Sequence, residues 1–237
     1  MLEKKRIGGL LLMAGSGKRF GTDVPKQFAL LGDKQVYLHT LDVFLRVSFF
    51  DELVLVCPQD WVEVVEREAT GCRVIAGGTT RQQSSFAGLK AFTQAPDIVV
   101  IHDAVRPFVT EQILRDNALG ALQHGAVDTC IPSADTLVHA PDGKMVAQIP
   151  KRAEFMRGQT PQSFRFDWIV RAHEEAVKKG VETTDDCSLV LRLGLPVHVV
   201  MGSERNIKIT TPFDLVVAKS LLSSADQYYS EPQKLDR

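Results

Sequence analysis

Apolar residues along the chain fall into short runs that alternate with stretches of helical spacing. The run from Ile7 to Met13 predicts a strand buried on both faces. Val36 to Leu45 carries helical apolar spacing, and Leu53 to Cys57 predicts a second strand, stopped by Pro58. Gln59 to Glu68 is amphipathic and predicts a helix. Cys72 to Ala76 is a short strand that runs into Gly77-Gly78-Thr79-Thr80-Arg81, followed by a helix over Gln82 to Phe92. Asp97 to Ile101 is the most strand-like segment, ending at His102-Asp103, and Thr110 is placed to cap a helix through Gln123.

Strand and helix alternating with short connections predict an α/β fold, a mostly parallel sheet flanked by helices. In such sheets ligands sit beyond the carboxyl ends of the strands. Three polar clusters fall there: Gly15 to Lys26, Gly77 to Arg81, and His102 to Arg106. Three separate strand ends agreeing in this way point to one shared site.

The alternation lapses after a strand at Val127 to Ile131. Thr136–Ala140 and Lys144–Ile149 flank Pro141-Asp142-Gly143, a turn sequence, and predict a β-hairpin over 133–157. A lone hairpin is marginal in water, so it packs either on its own domain or, the natural candidate, against a second subunit as a dimerisation arm. Helices follow at Phe166 to Lys179 and Asp185 to Leu193, strands at Val197 to Met201 and Ile207 to Thr210, and a final helix opens at Thr211-Pro212-Phe213-Asp214. One domain over 1–222 is expected, with a polar tail over 223–237.

The Gly15 loop carries the sharpest chemistry. Glycines at 15 and 17 allow a tight turn whose N–H groups converge on an anion, and Lys18, Arg19 and Lys26 stand beside it. The dinucleotide fingerprint fails, because its sixth position is Phe20. The Walker A pattern fails too, with Leu12 in place of its first glycine and Arg19 after Lys18. What remains is a polyphosphate loop using an Arg and a Lys, or an ordinary strand-to-helix turn with solvated basic residues.

Composition narrows the classes. The 237 residues are 44% hydrophobic and carry a net charge of −1, so any anion site is a local cluster, and neither nucleic acid nor a membrane surface is an expected partner. No run approaches the ~20 apolar residues of a membrane span. Lys4-Lys5-Arg6 before the first run imitates a signal peptide, but the run is short and ends in Gly-Ser-Gly-Lys-Arg. Cys57, Cys72, Cys130 and Cys187 show no ligand spacing, which suits buried thiols in a reducing cytoplasm.

Asp103 and Arg106 stand just past a buried strand, suited to Mg²⁺, to a ribose hydroxyl, or to pairing with each other. Lys208 is an odd choice between Ile207 and Ile209. Nothing suggests a covalent intermediate, so an enzyme built on these residues works by positioning and charge stabilisation, as phosphoryl-type transfers do.

Taken together, Ala14-Gly15-Ser16-Gly17-Lys18-Arg19, Pro25-Lys26-Gln27, Gly77-Gly78 with Arg81 and Ser84, and His102 to Phe108 resemble the 2-C-methyl-D-erythritol 4-phosphate cytidylyltransferase family. Asp135-Thr136, Thr160-Pro161-Gln162, Thr184-Asp185-Asp186 and Asn206 to Thr210 extend the resemblance over residues 7–222. It implies a Rossmann-like homodimer in which CTP, with Mg²⁺ on its phosphates, is attacked in line by a polyol phosphate and pyrophosphate leaves. The product would be a precursor of non-mevalonate isoprenoid synthesis. By resemblance Arg19, Lys26, Arg152 and Lys208 are catalytic. Ala14, Gly15, Ser16, Gly17, Gly78, Ser84 and Asp103 hold the nucleotide, with Asp103 also a candidate metal ligand. Arg106, Thr136, Arg152 and Thr160 hold the acceptor, with Thr136 and Arg152 reaching the neighbour's site. Met13 stands where the family usually has Ala, and Thr79 where it commonly has Asp. Val105 and Gly158-Gln159 also resemble the sister family, ribitol-5-phosphate cytidylyltransferase. A nucleotide-binding sensor without turnover is the alternative of another class.

Overall fold

The computed structural model describes residues 2–15, 20 and 24–228, excluding the side chains of Glu3 and 224–228. Its strands are β1 (Ile7–Leu12), β2 (Leu30–Leu31), β3 (Lys34–Gln35), β4 (Glu52–Cys57), β5 (Arg73–Ala76), β6 (Ile98–Asp103), β7 (Ala126–Pro132), β8 (Met156–Arg165) and β9 (His198–Met201). The helices are α1 (Val36–Arg46), α2 (Val62–Glu68), α3 (Arg81–Lys90), α4 (Glu111–His124), α5 (Phe166–Lys179), α6 (Cys187–Arg192) and α7 (Pro212–Tyr228).

Seven strands form one sheet in the order β5-β4-β1-β6-β8-β7-β9, and β2 and β3 make a separate small hairpin. All pairings in the large sheet are parallel except those of β8, which runs antiparallel to both β6 and β7. The expected Rossmann-like α/β architecture is therefore present. β1 is buried along its whole length between β4 and β6. A side chain at Gly9 would meet Phe44 Cδ1 at 3.1 Å and Leu53 closer still, so this strand packs α1 tightly. One apolar core, including Tyr37, Leu41 and Phe44, covers one face under α1, α2 and α4. A second, including Leu89, Ile169 and Val190, covers the other under α3, α5 and α6. Thr80 and Thr110 cap α3 and α4, each hydroxyl accepting an N–H three residues on.

β8 was not expected from the sequence. Its buried residues include Gln159, Thr160, Gln162 and Ser163, so no apolar run or alternation marks it. These side chains are satisfied by partners far along the chain, among them Ser203, His102, Asp128 and Asn117. Pro161 fits inside the sheet because the β7–β8 register is irregular between Asp128 and Cys130.

The 133–157 segment forms a thin hairpin with one antiparallel bridge, His139 to Gln148. Its turn is fixed by Asp142 Oδ1, which accepts the N–H groups of Lys144 and Met145, and by Gly143 at φ +66°. Met145 is 73% exposed, and Val146 and Ile149 are exposed beside it, so these side chains do not pack on their own domain.

Two expectations are corrected. Ile207–Thr210 forms no strand among the described residues; Ile209 N–H donates to Val105 O at 2.9 Å, and Ile209 packs with Leu215 and Ala218 of α7. The last helix continues to Tyr228, past the start of the expected tail, while 229–237 lie outside the described residues. Among the described residues no helix is long and apolar enough to cross a membrane.

Candidate active site

The carboxyl ends of β1, β5 and β6 open on a cleft of about 580 Å³. Met13, Ala14 and Gly15 form one wall. Gln27, buried behind them, donates from Nε2 to Met13 O at 2.8 Å and Gly15 O at 3.3 Å, fixing the first part of the loop. Met13 itself is buried in the same apolar core as Tyr37, Leu41 and Phe44 of α1. Lys26 lines the cleft from a short 3-10 turn opened by Pro25.

Gly78 and Ser84 form the opposite wall. Ser84 Oγ accepts Gly78 N–H at 3.1 Å and donates to Thr80 O at 2.8 Å, tying the glycine turn to the first turn of α3. A side chain at Gly77 would lie 2.7 Å from Ser84 Oγ and closer still to Ala14 Cβ. Glycine there lets the ends of β1 and β5 approach. Thr79, at the position where a carboxylate was the expected residue, bonds Gln83 Oε1 through its N–H and hydroxyl.

Asp103 ends β6 at the floor. Lys208 Nζ lies 2.7 Å from its Oδ2, Arg81 Nε 3.6 Å from Oδ1, and Arg106 Nε 3.9 Å from Oδ2. Burial alone would raise this carboxyl, but Lys208, Arg81 and Arg106 outweigh it and hold it far below the usual carboxylate range. Arg81 reaches onward to Asp186, Nη1 to Oδ2 at 2.7 Å, and the two carboxylates outweigh burial and raise its guanidinium further. Asp186 is buried and also accepts Ser85 Oγ–H at 2.7 Å, with His173 Nε2 at 2.9 Å from the same oxygen.

A second cavity of about 380 Å³ shares Arg81, Asp103, Thr184 and Lys208 with the cleft and extends over β8 and β7. Arg106 lines it; its Nη1 donates to Asn206 O at 2.7 Å, and its buried Nε has no hydrogen-bond acceptor among the described residues. Burial pulls this guanidinium below its ordinary value. Thr160 lies alongside. Burial lowers His102 to about 4, so the ring is neutral near pH 7. Its Nε2 donates to Arg106 O at 3.2 Å, its Nδ1 accepts Thr160 Oγ1–H at 3.0 Å, and Thr160 Oγ1 accepts Asp103 N–H at 3.1 Å. His102 thus ties β6 to β8 beneath the acidic floor.

Of the residues expected in the site, Ala14, Gly15, Lys26, Gly78, Ser84, Asp103 and Lys208 meet in the cleft, and Arg106 and Thr160 in the adjoining cavity. Thr136 and Arg152 line neither cavity within one chain. Both lie on the exposed arm, where Arg152 Nη1 donates to Ala134 O at 2.7 Å. Ser16, Gly17 and Arg19 lie outside the described residues. The sequence reading assigned no role to Arg81, Gln27 or Asp186. Arg81 follows the second glycine turn, which was a usable signal, whereas Asp186 is 105 positions away from it.

The described residues contain no group of three or more His, Cys, Asp or Glu placed to hold a metal. A bound metal would therefore draw most of its ligands from phosphates and water, with Asp103 the carboxylate that lines the cleft among the described residues.

Comparison with known proteins fits this geometry. The family model for 2-C-methyl-D-erythritol 4-phosphate cytidylyltransferase matches residues 8–224. The enzyme of that name from Geotalea uraniireducens is 41% identical over 230 residues, covering 93% of this chain and 98% of that one. A ribitol-5-phosphate cytidylyltransferase from Lactiplantibacillus plantarum is 38% identical over 225 residues, covering 90% and 96%. Among solved structures, the 4-diphosphocytidyl-2C-methyl-D-erythritol synthase of Anaerococcus prevotii superposes with a TM-score of 0.83 at 31% identity, covering 94% of this chain and 98% of that chain.

Proposed function

The chain belongs to the 2-C-methyl-D-erythritol 4-phosphate cytidylyltransferase family of nucleotidyltransferases, and on that premise we propose that it joins CTP to 2-C-methyl-D-erythritol 4-phosphate, releasing pyrophosphate. The observation that carries the reading is the shared wall of the two cavities. Asp103, Arg81, Thr184 and Lys208 face both, so a nucleotide in one brings its α-phosphate beside an acceptor phosphate in the other.

CTP lies over the Gly15 loop, with its base against Gly78 and Ser84, a wall of small residues suited to a pyrimidine. Asp103 accepts from the ribose. An oxygen of the acceptor phosphate, largely a dianion at neutral pH, forms the new bond to the α-phosphorus, and the bond to the β-phosphate oxygen breaks. No general base is required. Lys26 and Arg19 balance the charge that builds on the α-phosphoryl oxygens and the leaving pyrophosphate, and Lys208 aims the attacking phosphate. Mg²⁺, brought on the triphosphate, would supply charge neutralisation, and Asp103 would be the cleft carboxylate that helps to hold it.

The arm completes the acceptor site of a second copy in a homodimer. Its exposed Met145, Val146 and Ile149 suit burial against a partner, and Arg152 and Thr136 then reach the partner's acceptor cavity. The four free cysteines suit a reducing cytoplasm.

Ribitol 5-phosphate is the second acceptor to consider, favoured by the Lactiplantibacillus relative and by the carboxylate of Asp128 in the acceptor cavity. The test is pyrophosphate release from CTP and Mg²⁺ with each acceptor in parallel. Release with methylerythritol phosphate alone supports the proposal, and release with ribitol 5-phosphate alone transfers it to the polyol branch. CTP binding without release from either acceptor would replace it with a nucleotide sensor.

A further inference from the structure

Beyond Asp103 and Lys208, the acceptor cavity is lined by Asp128, Gln162, Asp185 and Ser188. Asp128 of β7 pairs with Gln162 of β8, which pairs with Ile101 of β6. Neighbouring strands lie about 4.8 Å apart, which puts Asp128 about 10 Å across the sheet from β6. It lies on the side away from the Gly15 and Gly77 turns. An acceptor whose phosphate is held at Lys208, on the border with the nucleotide cleft, therefore runs its carbon chain across β8 toward Asp128.

The carboxylate there is short of strong donors. Gln162 Nε2 donates to Asp128 Oδ1 at 3.0 Å, and this amide is held in orientation because its Oε1 accepts Asp186 N–H at 3.1 Å. The Cys187 thiol, a weak donor, is turned to Val127 O at 3.8 Å instead. Burial raises the Asp128 carboxyl above its ordinary value. Asp185, beside it in the cavity wall, is already engaged: its two oxygens accept the N–H and the hydroxyl of Ser188 at 2.9 and 2.8 Å. A partly buried carboxylate with acceptor capacity to spare is stabilised by hydroxyl donors from a ligand, whereas an apolar group against it removes water and returns no bond.

We propose that Asp128 is a specificity-determining residue, accepting hydrogen bonds from the hydroxyls at the end of a polyol phosphate farthest from its phosphate. The inference rests on the reading of this protein as a cytidylyltransferase acting on a polyol phosphate.

The test compares pyrophosphate release by the wild type, Asp128→Asn and Asp128→Ala. The acceptors are ribitol 5-phosphate, methylerythritol phosphate, and the analogue of each that lacks the terminal hydroxyl. CTP binding by calorimetry verifies that each variant is folded, and Asp128→Asn, which keeps the side-chain shape, carries the comparison if Asp128→Ala does not bind CTP. Loss of the hydroxyl should cost the wild type about tenfold to hundredfold in kcat/KM and cost the variants about threefold or less. An equal cost in wild type and variants overturns the role of Asp128 while leaving the activity in place. Absence of pyrophosphate release by the wild type with every acceptor overturns the cytidylyltransferase reading, and this inference with it.

Discussion

Lys208 Nζ lies 2.7 Å from Asp103 Oδ2, closing an ion pair across the boundary between the two cavities. Asp103 is buried, while Lys208 retains partial exposure toward the space a phosphate would enter. Arg81 and Arg106 remain near the same carboxylate, so Lys208 can turn to an incoming phosphate without leaving Asp103 unpaired. Lys208→Ala should therefore lower kcat/KM for the acceptor by about 10²-fold, the loss expected for one charge-stabilising donor, with CTP affinity nearly unchanged. Steady-state kinetics together with CTP titration checks this; a loss of CTP affinity as large as the kinetic loss would assign Lys208 to the nucleotide instead.

His102 sets a pH limit on the fold. Its folded-state value is lowered by burial to about 4, against an ordinary value of 6.5. Between these values the unfolded chain binds the proton and the native protein does not, so stability rises with pH through this window. The contribution is fully present above pH 6.5 and declines as pH falls toward 4. Acidifying from pH 6.5 to 5 should cost about 2 kcal/mol from this residue. Urea unfolding at the two pH values measures it, and His102→Gln should flatten the dependence even though it loses stability at neutral pH.

His102 and Lys208 also show what the sequence made legible. A lysine between two isoleucines was visibly out of place, and its pairing with buried Asp103 is the reason. The glycine turns and the polar residues at strand ends placed the cleft, because a parallel sheet collects its ligands on one edge. β8 escaped because the signal for a strand is an apolar pattern, and here the buried face is Gln, Thr and Ser satisfied by residues dozens of positions away. Asp186 escaped for the same reason, since nothing local in its segment announces an ion pair with Arg81, 105 positions away.

Arg81 joins Asp186 and Asp103, both buried, and Arg81→Met would leave Asp186 with only neutral donors and His173 beside it. Removing one partner of a buried pair costs about 3–5 kcal/mol, because the remaining charge is uncompensated. Denaturant midpoints for wild type, Arg81→Met and Arg81→Met/Asp186→Asn check this. The double variant should recover part of the loss if the uncompensated buried charge, rather than lost packing, is the cause. Equal midpoints for the two variants would place the cost in packing.

The arm carries the last prediction. Arg152 and Thr136 lie outside both cavities of their own chain, whereas Lys26 lines the cleft of its own. If the arm of one copy completes the site of another, Lys26→Ala and Arg152→Ala fail in different chains of the same dimer. In a mixed dimer, the subunit with Lys26→Ala has a doubly impaired site, because its partner's arm lacks Arg152. The other subunit retains its own Lys26 and receives an intact Arg152, so it has a complete site. Each single-variant homodimer should lose about 10²–10³-fold in kcat. The purified heterodimer, made with two affinity tags, should recover about half of the wild-type activity, one working site out of two. Recovery no greater than the average of the two homodimers would place Arg152 in its own chain's site or outside catalysis altogether.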